Sequence, residues 1–265
     1  MTRTVRYVVF GLGATGIGLL GVFAILKIPA FGASSHPYRD ASIPAAVKHA
    51  TSNVISSINF DQRGLDTLGE ESIFLASVLV ISVILRPAGH ETERRELSEG
   101  RPLDSTVLGG LVFLPIVLII GLDVITHGHL TPGGGFQGGV ILGTGIHLLY
   151  VAGTYRMFEK VRPVRPFEWT EAIAAGAFAC LGISGVLVGA SFLANVVPQG
   201  VFGDLFSAGT VPLLNGVVGV EVASGVVVLI SKFLEQALTV RSDSGNPQGN
   251  GHTSRETKTP DGQHP

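Results

Sequence analysis

The 265-residue sequence is apolar and sparsely charged: 46% of its residues are hydrophobic, 14% are charged, and the net charge is -2 at pH 7. Soluble domains carry about 25% charged residues, so a water-soluble enzyme is a poor fit. The charge balance gives no basic surface for nucleic acid. The eight histidines lack the Cys/His spacing of a zinc site, and Cys180 is the lone cysteine, so it cannot form an intrachain disulfide. The composition predicts an integral membrane protein with no metal ion and no cofactor.

Six apolar runs follow one another along the chain and predict an all-α, polytopic membrane protein with about six transmembrane helices. The runs cover residues 7–31, 72–85, 107–126, 138–154, 171–197 and 211–234. The second run is short, but it can extend backwards through the polar motif near Gly64 if that turn faces protein rather than lipid. From residue 241 onward polar residues, glycine and proline dominate, so we predict a disordered tail.

The basic residues predict the orientation of these helices. With the N-terminus inside, the inside segments hold 14 of the 18 Arg and Lys residues and the outside segments hold 4. Arg and Lys accumulate on the cytoplasmic side of membrane proteins, so both termini are predicted to be cytoplasmic. Arg3 and Arg6 before the first run, and Ala30-Phe31-Gly32 after it, leave a cleaved signal peptide as the alternative. The run of about twenty apolar residues exceeds the usual 7–15 and favours a span.

Acids inside such spans are costly and need a partner or a purpose. Asp66 and Glu70 are four residues apart and share one helical face, with Arg63 nearly on the same face. The arrangement suits a relay for protons or cations. It equally suits an Arg63–Asp66 ion pair at a helix start, with Glu70 solvated at the interface.

Two later positions raise the same question. Asp123 precedes His127 by one turn, so the two side chains either share a proton or cap the end of the third helix. Glu221 lies deep in the sixth run. It is predicted to face the protein interior or another subunit, either neutral and hydrogen-bonded or ionised in a wet channel.

A stripe of small residues marks the fourth helix. Gly135, Gly139 and Gly143 recur every four residues and His147 continues the stripe, which predicts close packing on another helix. His147 is therefore expected to be buried in protein, either in a structural hydrogen bond or on a proton path.

Two motifs carry a family resemblance. The first is His127-Gly128-His129-Leu130-Thr131-Pro132-Gly133-Gly134-Gly135-Phe136-Gln137-Gly138-Gly139; here Pro132 ends a helix and the glycines permit unusual backbone conformations. It resembles the signature of the B subunit (MnhB type) of Mrp multisubunit sodium/proton antiporters. The second, Asn59 to Glu70, reads NFDQRGLDTLGE. It resembles a segment near the C-terminus of the large A subunit, shared with the E subunit of related membrane-bound hydrogenases.

The resemblance implies a fused chain. Residues 1–87 would be an E-like two-helix unit, 88–100 a cytoplasmic linker, 101–240 an MnhB-like four-helix domain and 241–265 the tail. It also implies a multi-pass subunit in the plasma membrane of a prokaryote, surrounded by lipid. The partners would be the other subunits of an Mrp-type complex, related to the proton-pumping arm of respiratory complex I, which exchanges cytoplasmic Na+ or another monovalent cation for external H+.

The candidate ion-path residues combine the family match and the cost of burial in a membrane. By position, Asp66 and Glu70 match acids that the family places on a cation or proton path; the others rest on the membrane argument. The set is Arg63, Asp66, Glu70, Asp123, His127, His129, His147 and Glu221, with the signature loop Pro132, Gly133, Gly134, Gly135, Phe136, Gly138 and Gly139.

Three functions remain open at this point. Titratable residues on several helices, none of them in a nucleophile–base–orienter set, favour ion movement over bond breaking, hence a transporter subunit rather than an enzyme. A purely structural subunit would tolerate loss of the acids but not bulky residues at Gly139 or Gly143. A membrane subunit of an energy-converting redox complex, such as a hydrogenase, could use the same module.

Overall fold

The computed structural model describes residues 3–28, 32, 36–86, 102–153 and 164–243, and throughout these ranges the regular structure is helical, as predicted. The helices are α1 Arg3–Leu26, α2 Pro37–Lys48, α3 Val54–Ser57, a π-helix Ile58–Gln62, α4 Gly64–Ile84, α5 Asp104–Thr126, α6 Gly135–Ala152, α7 Val164–Leu187 and α8 Val211–Asp243. The predicted linker 88–100 lies outside the described residues. Of the predicted tail 241–265, residues 241–243 belong to the end of α8 and the rest lie outside the described residues.

Five of the described helices are long and apolar enough to cross a membrane: α1, α4, α5, α7 and the Val211–Leu234 part of α8. The fourth predicted span corresponds to α6, whose apolar part, Gly135–Leu149, is shorter. α4 begins at Gly64, so the second span does extend backwards through the polar motif. Arg63 separates it from the π-helix because its backbone (φ -137, ψ 37) leaves the helical region.

The fifth predicted span is shorter than its apolar run. α7 ends at Leu187 instead of continuing to residue 197, and the chain folds back along it. The Ala190 amide donates to the Gly185 carbonyl at 2.9 Å, and the Leu193 amide donates to the Gly182 carbonyl at 3.0 Å. The two glycines have no side chain, so the returning apolar segment can pack against the helix instead of extending it.

The chain divides into two compact units, Met1–Ile43 and Pro44–Pro265. In the first unit, α1 has no buried residue among those described. A helix that is apolar on every side suits an environment of lipid or of other membrane helices.

In the second unit α8 is the central helix, with α4, α5, α6 and α7 packed against it. Its side chains Leu214, Val218 and Val222 are almost fully buried, together with Phe60 of the π-helix and Phe178 of α7. Polar side chains carried by α8 therefore lie on the most enclosed helix of the unit.

The glycine stripe of α6 packs on α8, as predicted from its spacing. A Cβ added at Gly139 would lie 2.8 Å from the Gly219 carbonyl oxygen, and one at Gly143 would lie 2.8 Å from Val226. The contacts advance in the same direction on both helices, so α6 and α8 run parallel. Small residues allow this close backbone approach.

Candidate functional site

Three glutamates from three helices are buried in the second unit. Glu71 of α4 is 2% exposed, Glu171 of α7 is 2% exposed and Glu221 of α8 is 0% exposed. Each helix turns a regular face inward: Thr67, Glu71 and Val78 are all buried on α4. The acids therefore occupy positions that the helical period reserves for the protein interior.

The carboxyl groups form one cluster. Those of Glu71 and Glu221 face each other across the α4–α8 contact, and Glu171 interacts with Glu221 from the α7 side. A Cβ at Gly225, one turn beyond Glu221, would lie 2.9 Å from Glu171 Oε1 and 2.4 Å from the Phe74 ring. The absence of a side chain at Gly225 therefore makes the space into which the Glu171 carboxyl fits.

The cluster lacks hydrogen-bond and ion-pair partners among the described residues. Both carboxyl oxygens of Glu71 and Glu221, and Oε1 of Glu171, are buried without a normal hydrogen bond; the facing Glu71 and Glu221 carboxyls interact without meeting hydrogen-bond geometry. The ion pairs of the described residues involve other acids. Adjacent ionised carboxylates in a low-dielectric interior cost several kcal/mol, so the cluster requires protons or a cation.

One end of the cluster continues to an ion pair. Glu168, one turn before Glu171 on α7, lies 3.4 Å from Lys232 Nζ of α8. Ser224 and Ser231 are buried on α8 along the same stretch. Polar side chains thus continue from the acids towards the end of the unit where α7 begins.

A separate polar network surrounds Asn215, six residues before Glu221 on α8. Asn215 Oδ1 accepts from the Gly135 amide at 2.9 Å, while its Nδ2 donates to Ser56 Oγ at 3.0 Å and to the Val211 carbonyl at 3.1 Å. A cavity of about 30 Å³ lies beside it, lined also by Asn59 and Gln137. It is polar and has room for a water molecule.

The signature loop is built around the same asparagine. A Cβ at Gly128 or at Gly134 would lie 2.7 Å from Asn215 Oδ1. Gly134 also has φ +144, a conformation that other residues rarely adopt. The glycines of the motif therefore position the α5–α6 turn on α8, while Pro132 and the positive φ of Gly133 shape the turn.

The two histidines of this turn differ. His127 is part-exposed and its Nδ1 lies 2.9 Å from Asp123 Oδ1, so the sequence-predicted pair does form, at the surface. His129 is fully buried, with no normal hydrogen bond to either ring nitrogen. Burial lowers the pKa of His129, and the His127 charge adds to this, whereas the nearby backbone of Asp204 and Leu205 opposes it.

The remaining predicted residues are divided between surface and interior. Arg63 and Asp66 form an ion pair in which both side chains are more than half exposed, and Glu70 is exposed on the same face of α4. His147 is buried, and its Nδ1 lies 2.7 Å from the Gly143 carbonyl oxygen. Of the predicted acids, Glu221 belongs to the buried cluster.

Sequence reasoning missed Glu71 and Glu171. Glu71 is adjacent to the predicted Glu70, but it follows Thr67 by four residues on the buried face of α4. Glu171 was used as the boundary of an apolar run, although Ala174, Phe178, Gly182 and Gly185 continue its buried face at helical spacing. A search for acidic residues that share a helical face with small residues would have found Glu171.

Comparison with known proteins identifies a related domain and similar membrane subunits. Residues 107–228 match the model of a domain related to the MnhB subunit of the Na+/H+ antiporter. The chain is 30% identical over 197 residues to an uncharacterized protein of Methanocaldococcus jannaschii, covering 65% of this chain and 73% of that one. It is 23% identical over 188 residues to a probable K+/H+ antiporter A/B subunit of Rhizobium meliloti, of which it spans 18%.

Two solved structures share the fold. One is a chain of the membrane-bound sulfane sulfur reductase, an archaeal respiratory membrane complex, with a TM-score of 0.67, 27% identity, and coverage of 87% of this chain and 98% of that chain. The other is a chain of the Mrp complex from Dietzia sp. DQ12-45-1b, with a TM-score of 0.61, 25% identity, and coverage of 88% and 26%.

The helical fold and the apolar helices define a multi-pass membrane subunit, located in a prokaryotic plasma membrane. Residues 107–228 form a domain related to the MnhB subunit of the Na+/H+ antiporter, and the chain is similar to subunits of K+/H+ and Mrp antiporter complexes.

Proposed function

We propose that this chain forms part of the ion path in a multisubunit exchanger of Na+, or another monovalent cation, for H+. The observation that carries the proposal is the cluster of Glu71, Glu171 and Glu221, buried on three membrane helices without counter-ions among the described residues. Buried acids within a membrane are expensive to maintain and mark ion pathways and proton relays. The other antiporter subunits would complete the path and supply the gradient coupling.

The cluster can work as a relay. A proton or cation held between Glu71 and Glu221 neutralises their mutual repulsion, and Glu171 offers the next carboxyl towards Glu168 and Lys232. Movement of the ion from one carboxyl to the next requires no bond breaking other than proton transfer. The exposed Asp66 and Glu70 are, on this proposal, directed towards a neighbouring subunit of the complex.

The decisive variant is Glu221→Gln in the complete complex. We expect sodium-dependent proton exchange in everted vesicles from antiporter-deficient cells to fall at least about tenfold, because an amide cannot carry the proton or the charge. A native gel checks assembly. Normal exchange by an assembled Glu221→Gln complex would overturn the proposal.

Two further variants sharpen this experiment. Glu70→Gln and Glu71→Gln change adjacent positions that face outward and inward, so their comparison separates a path at a subunit boundary from a path inside this chain. Asp104→Asn, at the exposed first turn of α5, is the matched control and should exchange normally.

A second candidate function is a membrane subunit of an energy-converting redox complex. The likeness to almost the entire length of a chain of the sulfane sulfur reductase complex favours it. Neighbouring genes for iron–sulfur or hydrogenase-type subunits, together with exchange that does not depend on sodium in the native complex, would support this function over an antiporter.

A further inference from the structure

An open cleft of about 410 Å³ lies beside the first residues of α4, at the end where this candidate membrane span begins. The π-helix and the segment that folds back after α7 form its walls. Its polar lining comes from His49, Asp61, Arg63, Ser191, Asn195 and Gln199.

An acid–base pair lies in this cleft. His49 Nδ1 is 2.5 Å from Asp61 Oδ2. The side chain of His49 is 31% exposed, whereas that of Asp61 is 5% exposed. The imidazole therefore meets solution and the carboxylate lies behind it. Asp61 is on the π-helix, and such irregular turns recur at functional sites.

The charged groups around the pair are few. Arg63, at the start of α4, is engaged with Asp66, and Lys48, the last residue of α2, is exposed. From the folded-back segment, the described lining contributes a hydroxyl and two amides without a charge. Among these described groups, the Asp61 carboxylate is therefore the charged group that contacts the His49 ring.

Polar groups lead inward from the cleft. Gln62, next to Asp61, donates to Ser57 Oγ at 3.1 Å, and Ser57 is fully buried. The adjacent Ser56 accepts from Asn215 beside the water-sized cavity. On α4, the buried Thr67 lies one turn before Glu71.

We propose that the His49–Asp61 pair is a proton-exchange site through which the buried glutamates take up and release protons at the cleft. A proton from solution binds His49 Nε2, and the Nδ1 proton passes to Asp61 Oδ2; the imidazole is neutral before and after, with its proton moved between nitrogens. Further transfer from this carboxyl to Glu71 and Glu221 is part of the proposal, and the polar groups available between them are those of Ser57, Ser56, Asn215 and Thr67. This inference rests on the proposed function, because it supplies the cluster with protons.

The test is the pH profile of exchange by the assembled complex in vesicles, with pH varied on one side at a time. An imidazole exchanges protons within the physiological range. We therefore expect His49→Gln to shift the midpoint of the profile by about one pH unit or more, for pH changes on the cleft side alone. Asp61→Asn should lower the rate about tenfold or more. The control is His36→Gln, an exposed histidine, which should leave the profile unchanged.

The outcomes separate this inference from the proposed function. An unchanged profile in assembled His49→Gln overturns the inference, while the proposed function stands if Glu221→Gln is inactive. Normal exchange in Glu221→Gln overturns both. If Asp61→Asn fails to assemble, His49→Gln decides alone, and a pH shift arising equally from either side counts against the cleft as the point of entry.

Discussion

Glu70 and Glu71 are neighbours in sequence, yet one is exposed and the other is 2% exposed. Successive residues of an α-helix point about 100° apart, so adjacent acids meet different surroundings. The same contrast separates His127, paired with Asp123 at the surface, from His129, buried two residues later. The burial and the partners of a titratable residue thus depend on its position in the fold more than on the motif that contains it.

His129 makes a testable contribution to the pH dependence of stability. Burial holds the pKa of His129 below its ordinary value near 6.5, so the folded chain resists a proton that the unfolded chain accepts. Stability is therefore unaffected above about pH 6.5 and falls as pH drops below it, by at most about 1.4 kcal/mol per pH unit for this group. Thermal unfolding in detergent between about pH 8 and pH 5 measures the slope.

The slope, rather than the stability itself, distinguishes His129 from other groups. His129→Gln should reduce the loss of stability on acidification, and His36→Gln, which changes an exposed ring, should retain it. A slope in His129→Gln equal to that of the unaltered chain would contradict the expectation.

At the scale of elements, the parallel packing of α6 on α8 depends on glycine. Gly135, Gly139 and Gly143 of α6 meet the α8 backbone or a β-branched valine at distances that exclude a side chain. This packing positions Asn215 under the signature loop.

Gly139→Ala tests this packing. The added methyl group would lie 2.8 Å from the Gly219 carbonyl and from Val222, so we expect a loss of about 1–3 kcal/mol of stability. Gly216→Ala on α8 is the matched control, since nothing lies within 4 Å of its Cβ position. Its helix propensity should stabilise the chain by up to about 1 kcal/mol. Equal unfolding temperatures for the two variants would count against glycine-dependent packing.

At the scale of the whole molecule, the two parts of the predicted fusion are joined by hydrogen bonds as well as packing. Asn53 Nδ2 donates to the carbonyls of Gly128 at 2.8 Å and Thr131 at 2.9 Å. The backbone amide of Asn53 donates to the backbone carbonyl of His129. Asn215 adds its bond to Ser56. These contacts tie the segment before α4 to the α5–α6 turn and to α8.

We therefore expect residues 1–94 and 95–265, expressed together as separate chains, to associate and co-purify. Asn53→Ala combined with Ser56→Ala should weaken the association, by about 0.5–1.5 kcal/mol for each hydrogen bond lost. Ser72→Ala, an exposed residue bonded within its own helix, is the control and should co-purify like the unaltered pair. Separation of the unaltered pair in mild detergent would show that the covalent link is required.

The helical fold and the glycine contact between α6 and α8 were predictable because both follow from local periodicity: apolar runs determine spans, and small residues four apart determine a close face. The predicted end of the fifth span, residue 197, lies beyond the end of α7 at Leu187. An apolar run indicates residues that avoid water, and these residues need not be helical. Gly182 and Gly185 let the chain return along α7 and keep the same apolar residues dry.

The candidate site was predicted in part for the same reason. Glu221 could be found because it interrupts an apolar run, and the motif could be found because it is contiguous. The partnership of Glu71, Glu171 and Glu221 joins positions 50 to 150 residues apart, and the His49–Asp61 pair depends on a π-helix that no period announces. Sequence periodicity determines which residues prefer the interior, whereas the packing of α4, α7 and α8 determines which of them meet, since long-range contacts depend on how separate helices cross.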